Sequence, residues 1–186
     1  MDIGQIFQKH IKPWSFYEIT VFACLFIICS LILGILVYKR KIRAFQMISS
    51  LFLLSFLWLV FESTVFTRTT EKFSYKLIPL WSWYEVVINH SEMLLKENLL
   101  NCILLLPMGC LLPFVYGKKI RLQTAFLEGV AVSLLIEVSQ LVSKRGLFEW
   151  DDMLHNGFGC MAGCLIANQI IGRMFYRSVY KFKQEQ

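Results

Sequence analysis

The chain has 186 residues, of which 56% are hydrophobic and 17% charged, and its formal net charge is +6. A soluble domain normally has about a quarter of its residues charged, so this composition argues against a soluble globular fold. The basic residues lie between long apolar blocks, which favours a role in membrane orientation and gives no reason to expect a nucleic-acid partner.

Five apolar windows are long enough to cross a bilayer, because a spanning helix needs about 20 mostly apolar residues. In chain order they are residues 19–38, 46–66, 98–116, 122–142 and 154–172. The last window is the most polar, since Asn156, Asn168 and Gln169 lie within it. The sequence therefore predicts an all-α polytopic membrane protein, a bundle of about five transmembrane helices that forms a single domain over residues 1–186.

The distribution of lysine and arginine predicts the orientation of these helices. Loops 39–45 and 117–121 and the tail 173–186 together hold 11 of the 19 Lys and Arg residues, although they are the shorter set of connections. By the positive-inside rule these segments are cytoplasmic, which places the N-terminus outside and the C-terminus inside. The apolar segment 77–88 is too short to span, and we expect it to lie at the outer interface.

Polar side chains recur on one face of the fourth window. Ser133, Glu137 and Gln140 are spaced i, i+4, i+7 and therefore form one stripe on a helix. An ionisable group within a span is costly, so it needs a partner or a function. In the predicted topology several further polar residues lie near the same outer leaflet, and we expect them to converge with the stripe on one site. These are Asn98, Asn101, Arg145, Asp151, Asp152 and Asn156.

Each of these residues also has a structural interpretation, which stays open. The carboxylates at 151–152 can cap the last helix and favour its dipole. Arg145 can serve as an ion-pair partner for Glu137 or Asp151. Asn98 and Asn101 can form hydrogen bonds between helices.

Two other patterns near the last window carry weaker signals. Asp151, Asp152 and His155 are a weak ligand set for a divalent cation, so neither a metal nor another cofactor is expected. Gly159 and Gly163 form a face of small residues that allows another helix to approach closely. That face predicts packing within the bundle or a homo-oligomer.

Two stretches of the sequence resemble the signature of the VanZ-like family. The first runs Asn98-Leu-Leu-Asn-Cys-Ile-Leu-Leu-Leu-Pro107-Met-Gly109 and is followed by Pro113. The second runs Ser133-x-x-x-Glu137-x-x-Gln140, then Arg145, then Phe148-Glu-Trp-Asp-Asp152-x-x-x-Asn156. The resemblance is strongest over residues 98–165, within a core of about 46–172. One departure is Glu149, where the family usually has aspartate.

The resemblance implies a small multi-pass protein of the bacterial cytoplasmic membrane. The family's named member is associated with reduced susceptibility to the glycopeptide antibiotic teicoplanin. No established reaction comes with the family, so catalytic residues are left unassigned. The positions that match the signature, and that we expect to bind a ligand, are Asn98, Ser133, Glu137, Gln140, Arg145, Asp151, Asp152 and Asn156.

Three functions follow as hypotheses. In the first, the polar site binds an amphiphile among the membrane lipids, such as a lipid-linked cell-wall intermediate or the acyl tail of a lipoglycopeptide, with Arg145 on a phosphate or carboxylate. In the second, the protein is an enzyme that acts on such a lipid, with Glu137 as general base and an aspartate at 151–152 as its partner. Since no nucleophile–base pair or phosphate loop is visible, the first is favoured. The third is a non-catalytic helical accessory subunit that uses its Gly159/Gly163 face.

Overall fold

The computed structural model describes residues 15–66, 74–144 and 147–184, and most of them are helical. The helices in these ranges are α1 Phe16–Tyr38, α2 Ala44–Phe61, α3 Trp81–Ile88, α4 Glu92–Leu104, α5 Leu106–Tyr116, α6 Leu122–Ser143 and α7 Trp150–Gln184. A π-helical turn, Glu62–Phe66, continues α2. The predicted helical class is confirmed.

The described residues also form one small sheet, which the sequence did not predict. The strands β1, Ser74–Lys76, and β2, Leu147–Glu149, pair in parallel, and Lys76 lies opposite Glu149. β1 precedes α3 and β2 leads directly into α7. Near a bilayer, backbone groups outside helices still need hydrogen-bond partners, and two short strands provide them for each other. The sheet therefore ties the segment before α3 to the start of α7.

Four of the described helical segments are long and apolar enough to cross a membrane. They are Phe16–Tyr38, Ala44–Phe66, Glu92–Tyr116 and Leu122–Ser143, and they match the first four predicted windows. The fifth window lies within α7, a continuous helix that extends beyond it at both ends. α7, which contains Asn156, Asn168 and Gln169, is not among the candidate spans found in the described residues.

The third of these segments is interrupted near its middle. α4 ends at Leu104 and α5 begins at Leu106, with Leu105 between them at φ −100° and ψ 8°. Pro107 explains the break, because it has no N–H to donate to the carbonyl of Ile103 and its ring collides with that carbonyl. The proline then occupies the first turn of α5, where a missing donor costs nothing.

α7 packs chiefly against α5 and α6, and also against α4. Its small residues allow this close approach: a Cβ added at Gly159 would collide with the carbonyl of Cys102, and one at Gly163 with the carbonyl of Leu106. The face expected for close packing is thus covered within the chain. A homo-oligomer stays a prediction, but it would need a different surface.

The basic loops expected to be cytoplasmic lie at one end of the bundle. Gln46, just after the first basic loop, donates a hydrogen bond to the carbonyl of Val115 at 3.0 Å. Asn168 on α7 donates to the carbonyl of Ile120 at 2.8 Å and accepts from its N–H at 3.0 Å. The polar residues of the predicted site lie at the opposite end, near the N-terminus of α7 and the C-terminus of α6.

Candidate functional site

The polar stripe on α6 faces the interior of the bundle. Ser133, Glu137 and Gln140 have 0%, 3% and 2% of their surfaces exposed. Ser133 accepts a hydrogen bond from the side-chain amide of Asn156 at 2.9 Å. Gln140 donates to the backbone carbonyl of Thr64 at 3.0 Å. The stripe therefore connects α6 to α7 on one side and to the π-helical turn on the other.

Glu137 lies at the centre of the stripe. Its carboxylate accepts a hydrogen bond from the backbone N–H of Glu149 at 3.1 Å. A buried carboxylate is stable only with hydrogen-bond donors or a nearby cation. The β2 strand supplies one such donor, so the strand and the stripe hold each other in place.

Asp152 and Asn156 lie one helical turn apart on α7 and point towards neighbouring helices. Asp152 accepts a hydrogen bond from the side-chain amide of Asn101 on α4. Asn156, 3% exposed, reaches Ser133 on α6. Since Glu149 is close enough to Asp152 for the two charges to interact, the side chains from α4, α6, β2 and α7 meet in one place.

Glu149 is the ionisable group that this environment perturbs most clearly. Burial and then the charge of Asp152 are the largest causes that raise its pKa to about 7, while Lys76 acts in the opposite direction. Desolvation and like charges both disfavour the carboxylate form. Glu149 stood out in the sequence only as a departure from the family pattern, and its burial could not be read there.

Asp151 has a different role from its neighbour Asp152. It is 1% exposed and accepts hydrogen bonds from the backbone N–H groups of Leu80 and Ser82 at 2.6 and 3.0 Å, and from the Ser82 hydroxyl at 2.6 Å. A carboxylate at a helix N-terminus satisfies unpaired N–H groups and favours the helix dipole. Asp151 therefore caps α3, a helix distant in sequence, and connects it to α7.

A second contact between α3 and α7 was missed from the sequence. The indole N–H of Trp83 donates to Nε2 of His155 at 2.8 Å, and the two rings meet edge to face. His155 lies one helical turn after Asp151, so both side chains face α3. The i, i+4 spacing of these two residues was the available signal, but it was interpreted only as a weak metal motif.

Three buried amides in this region keep one polar atom without a hydrogen-bond partner among the described residues. They are Nδ2 of Asn98, Oε1 of Gln140 and Oδ1 of Asn156, in side chains 2–3% exposed. Unpaired buried polar atoms are uncommon in native proteins and each one needs an explanation. Such atoms are suited to binding the polar part of a ligand.

The described residues leave the pairing of Arg145 untested and bear only in part on a metal site. Arg145 lies outside the described residues, so its pairing with Glu137 stays a prediction. Among residues 15–66, 74–144 and 147–184, no group of three or more His, Cys, Asp or Glu side chains is arranged to hold a metal ion. Asp151 and His155 each bind α3 instead.

Comparison with known proteins adds the family. The family model described as VanZ/LLP1 matches residues 44–172, which is more than half of the chain. The chain belongs to the VanZ/LLP1 family. The matched region begins at α2 and contains all the site residues described above, whereas α1 precedes it. Neither the curated proteins nor the solved structures gave a match.

Proposed function

We propose that this VanZ/LLP1 protein crosses a bacterial cytoplasmic membrane five times, with α7 as the fifth span. The polar residues that lower the hydropathy of α7 face other helices: Asp151 binds α3, Asn156 binds α6, and Asn168 binds the loop before α6. A span surrounded by protein can carry such groups, because they never face hydrocarbon.

The proposed orientation is N-terminus out and C-terminus in. The loops 39–45 and 117–121, rich in Lys and Arg, lie at the end opposite the polar site, which the positive-inside rule assigns to the cytoplasm. The site then lies on the side of the outer leaflet. A cysteine introduced at position 180 is expected to resist an impermeant thiol reagent in intact cells, and its labelling would contradict this topology.

The proposed function is to bind an amphiphilic ligand of the cell envelope at the polar site. The observation that carries this proposal is that Glu137 and Asp152 lie at the same end of the bundle as three buried amides, each with one polar atom that has no partner among the described residues. Beside it, the segment around α3 exposes large apolar side chains, with Ile78 and Val87 72% and 63% exposed. A ligand with a polar head and an apolar tail fits both surfaces.

The family resemblance gives this ligand a biological context. The named VanZ protein is associated with reduced susceptibility to teicoplanin, a glycopeptide that carries an acyl tail. We infer that the ligand is a lipid-linked cell-wall intermediate or a lipoglycopeptide, with Arg145 on its phosphate or carboxylate. Binding at this site then lowers the sensitivity of the cell to such antibiotics.

A second candidate function is an enzyme that acts on a lipid-linked precursor. The pKa of Glu149 near 7 favours it, because a general base works best with a pKa near the operating pH. Incubation of the purified protein with such a precursor distinguishes the two functions. Unchanged substrate together with stoichiometric binding supports the binding function, and turnover supports the enzyme.

The decisive variant is Glu137→Gln. Glutamine keeps an oxygen that can accept from the N–H of Glu149, so we expect the fold to persist while a charged contact to the ligand is lost. The teicoplanin tolerance of cells that produce this variant should then fall to that of cells without the protein. Glu128→Gln is the matched control, because Glu128 accepts a hydrogen bond from Tyr116, at the cytoplasmic end of α5, and should matter much less.

The ligand itself can be identified by lipid mass spectrometry of protein purified in native-lipid discs. An envelope lipid enriched with the wild type and with Glu128→Gln, but lost with Glu137→Gln, supports the proposal. Equal tolerance and equal lipid content in all three proteins would overturn it.

A further inference from the structure

A groove of about 860 Å³ runs along the surface between β1 and α3. It is lined by residues 75–81 together with Tyr84 and Glu85, most of which are aliphatic or aromatic. This volume is in the range of sites that hold small molecules. The groove is distinct from the buried polar site, although β1 and β2 connect the two.

The surroundings of the groove indicate whether its ligand comes from water or from the membrane. Ile78 and Tyr84 are 72% and 61% exposed, and the outer side of α3 continues with exposed Val87 and Ile88. An apolar patch on a short helix next to transmembrane segments is typical of a surface embedded in the membrane interface. The occupant is therefore a membrane lipid, whose acyl chain fills the apolar part of the groove.

Lys76 belongs to the lining of the groove, and Glu149 lies next to it on the neighbouring strand. The ammonium of Lys76 is 3.0 Å from the centre of the Trp81 ring, a cation–π contact that fixes its position. Lys76 lies opposite Glu149 in the strand pair, and the two charges interact. The indole N–H of Trp81 is buried without a hydrogen-bond partner among the described residues.

The net charge of the residues around Glu149 determines which lipid headgroup can bind. One lysine suits a phosphate, but the surrounding carboxylates outnumber it: Asp151, Asp152 and Glu97 all interact with Glu149. A purely anionic headgroup would be repelled by this excess. A headgroup with a phosphate and an ammonium matches the pair, since each charge of the lipid meets its opposite.

We propose that the groove binds a membrane phospholipid with a primary-amine headgroup, with the phosphate on Lys76, the ammonium on Glu149, and an acyl chain along residues 77–81. Glu149 also connects the groove to the polar site, because it donates its backbone N–H to Glu137. The proposed phospholipid is a second lipid, distinct from the envelope ligand of the polar site.

The test is a titration of the full chain in detergent with single phospholipids, followed by native mass spectrometry. The probes are phosphatidylethanolamine, phosphatidylglycerol and phosphatidylcholine with identical acyl chains. We expect phosphatidylethanolamine to bind roughly tenfold more tightly than phosphatidylglycerol, since an ion-paired hydrogen bond contributes about that factor. Phosphatidylcholine, which has no N–H donor, should fall between them.

Two variants test the assigned contacts. Lys76→Gln and Glu149→Gln should each weaken phosphatidylethanolamine binding about tenfold. Lys96→Gln is the matched control, because Lys96 is exposed on α4 and does not line the groove. Equal affinity for phosphatidylglycerol and phosphatidylethanolamine, or unchanged binding in Lys76→Gln, would overturn the inference.

A pH series adds a separate readout. Because the pKa of Glu149 is about 7, the carboxylate is mostly protonated below that pH and charged above it. Phosphatidylethanolamine should bind more tightly at about pH 8 than at about pH 6, and Glu149→Gln should remove this dependence. The other groups facing Glu149 are Lys76, Asp151, Asp152 and Glu97.

The outcomes for this groove and for the polar site are distinguishable. If Glu137→Gln abolishes tolerance but the lipid titration shows no headgroup preference, only the groove inference fails. If phosphatidylethanolamine binds as expected while Glu137→Gln leaves tolerance intact, the proposed function fails and the groove stands.

Discussion

The first and last helices of the chain combine hydropathy and burial in opposite ways. α1 is the most apolar, with a mean hydropathy of 2.9 over its best window, yet none of its residues is buried and it packs mainly against α2. α7, which contains Asn156, Asn168 and Gln169, is not among the candidate spans found in the described residues, yet it has extensive contacts with α4, α5 and α6. In a membrane, high hydropathy thus reflects contact with lipid, and a helix that packs against three others has less of that signal.

The family match also distinguishes α7 from α1. It begins at residue 44, where α2 starts, and so includes α7 but not α1. α7 provides Asp152 and Asn156 to the polar site, while α1 has no described contact with it. Substitutions of the same type in the two helices should therefore differ sharply in their effects.

The largest difference in stability between variants of α7 and of α1 is expected for glycine substitutions. Gly159→Leu on α7 places a side chain where a Cβ already collides with the backbone of Cys102, and should lower the free energy of unfolding by ~3 kcal/mol. Gly34→Leu on α1 should have almost no effect, because nothing lies within 4 Å of a Cβ there. Unfolding in mixed micelles measures both, and a destabilised Gly34→Leu would contradict the peripheral position of α1.

The next difference concerns acidic residues near helix N-termini. Asp151→Ala leaves the donors of Leu80 and Ser82 buried without their acceptor, which should cost ~2 kcal/mol and detach α3. Glu18→Ala on α1 removes an exposed capping contact with Ser15 and should cost ~0.5 kcal/mol.

Hydrogen exchange provides the local readout for α3. Amides of residues 81–88 should exchange faster in Asp151→Ala, while those of α6 stay protected. Asp151→Asn keeps one acceptor oxygen and should be intermediate. Unchanged protection of α3 in both variants would show that its anchor lies elsewhere.

The smallest difference in stability between variants of α7 and of α1 is expected for cysteine substitutions. Cys160 is fully buried beside Gly109 and Gly129, so Cys160→Ala should cost ~1 kcal/mol through a small cavity. Cys24→Ala, at an exposed position on α1, should have no measurable effect. The double variant Cys160→Ala/Cys164→Ala should retain the tolerance phenotype, because we assign both thiols a packing role. Loss of that phenotype at normal expression would contradict this.

The predictions from sequence were strongest where long-range contacts were not needed. Four apolar windows coincide with described helices, since length and hydropathy depend on local composition. The i, i+4, i+7 spacing placed Ser133, Glu137 and Gln140 on one face, which the helix geometry alone requires. Nothing in that spacing showed that the face meets Asn156 and the backbone of Glu149.

The contacts that the sequence could not give all join segments far apart in the chain. Adjacent aspartates at 151 and 152 look equivalent, but successive helical positions differ by about 100° in direction, so one meets α3 and the other α4. The pairing of β1 with β2 was equally hidden, because three-residue strands leave no periodic pattern. The raised pKa of Glu149 was hidden as well, because burial is its largest cause and a three-residue strand gives no sign of burial in the sequence.

The π-helical turn at Glu62–Phe66 has a consequence for how α2 meets the site. A π-helical turn takes up one extra residue, so it changes the direction of the side chains and carbonyls that follow it. In α2 only Val60 is buried, but within the turn Glu62 and Val65 are buried and the carbonyl of Thr64 accepts from Gln140. Deleting one residue from the turn would restore an ordinary helical repeat, leaving a span of nearly the same composition whose end no longer presents that carbonyl to Gln140.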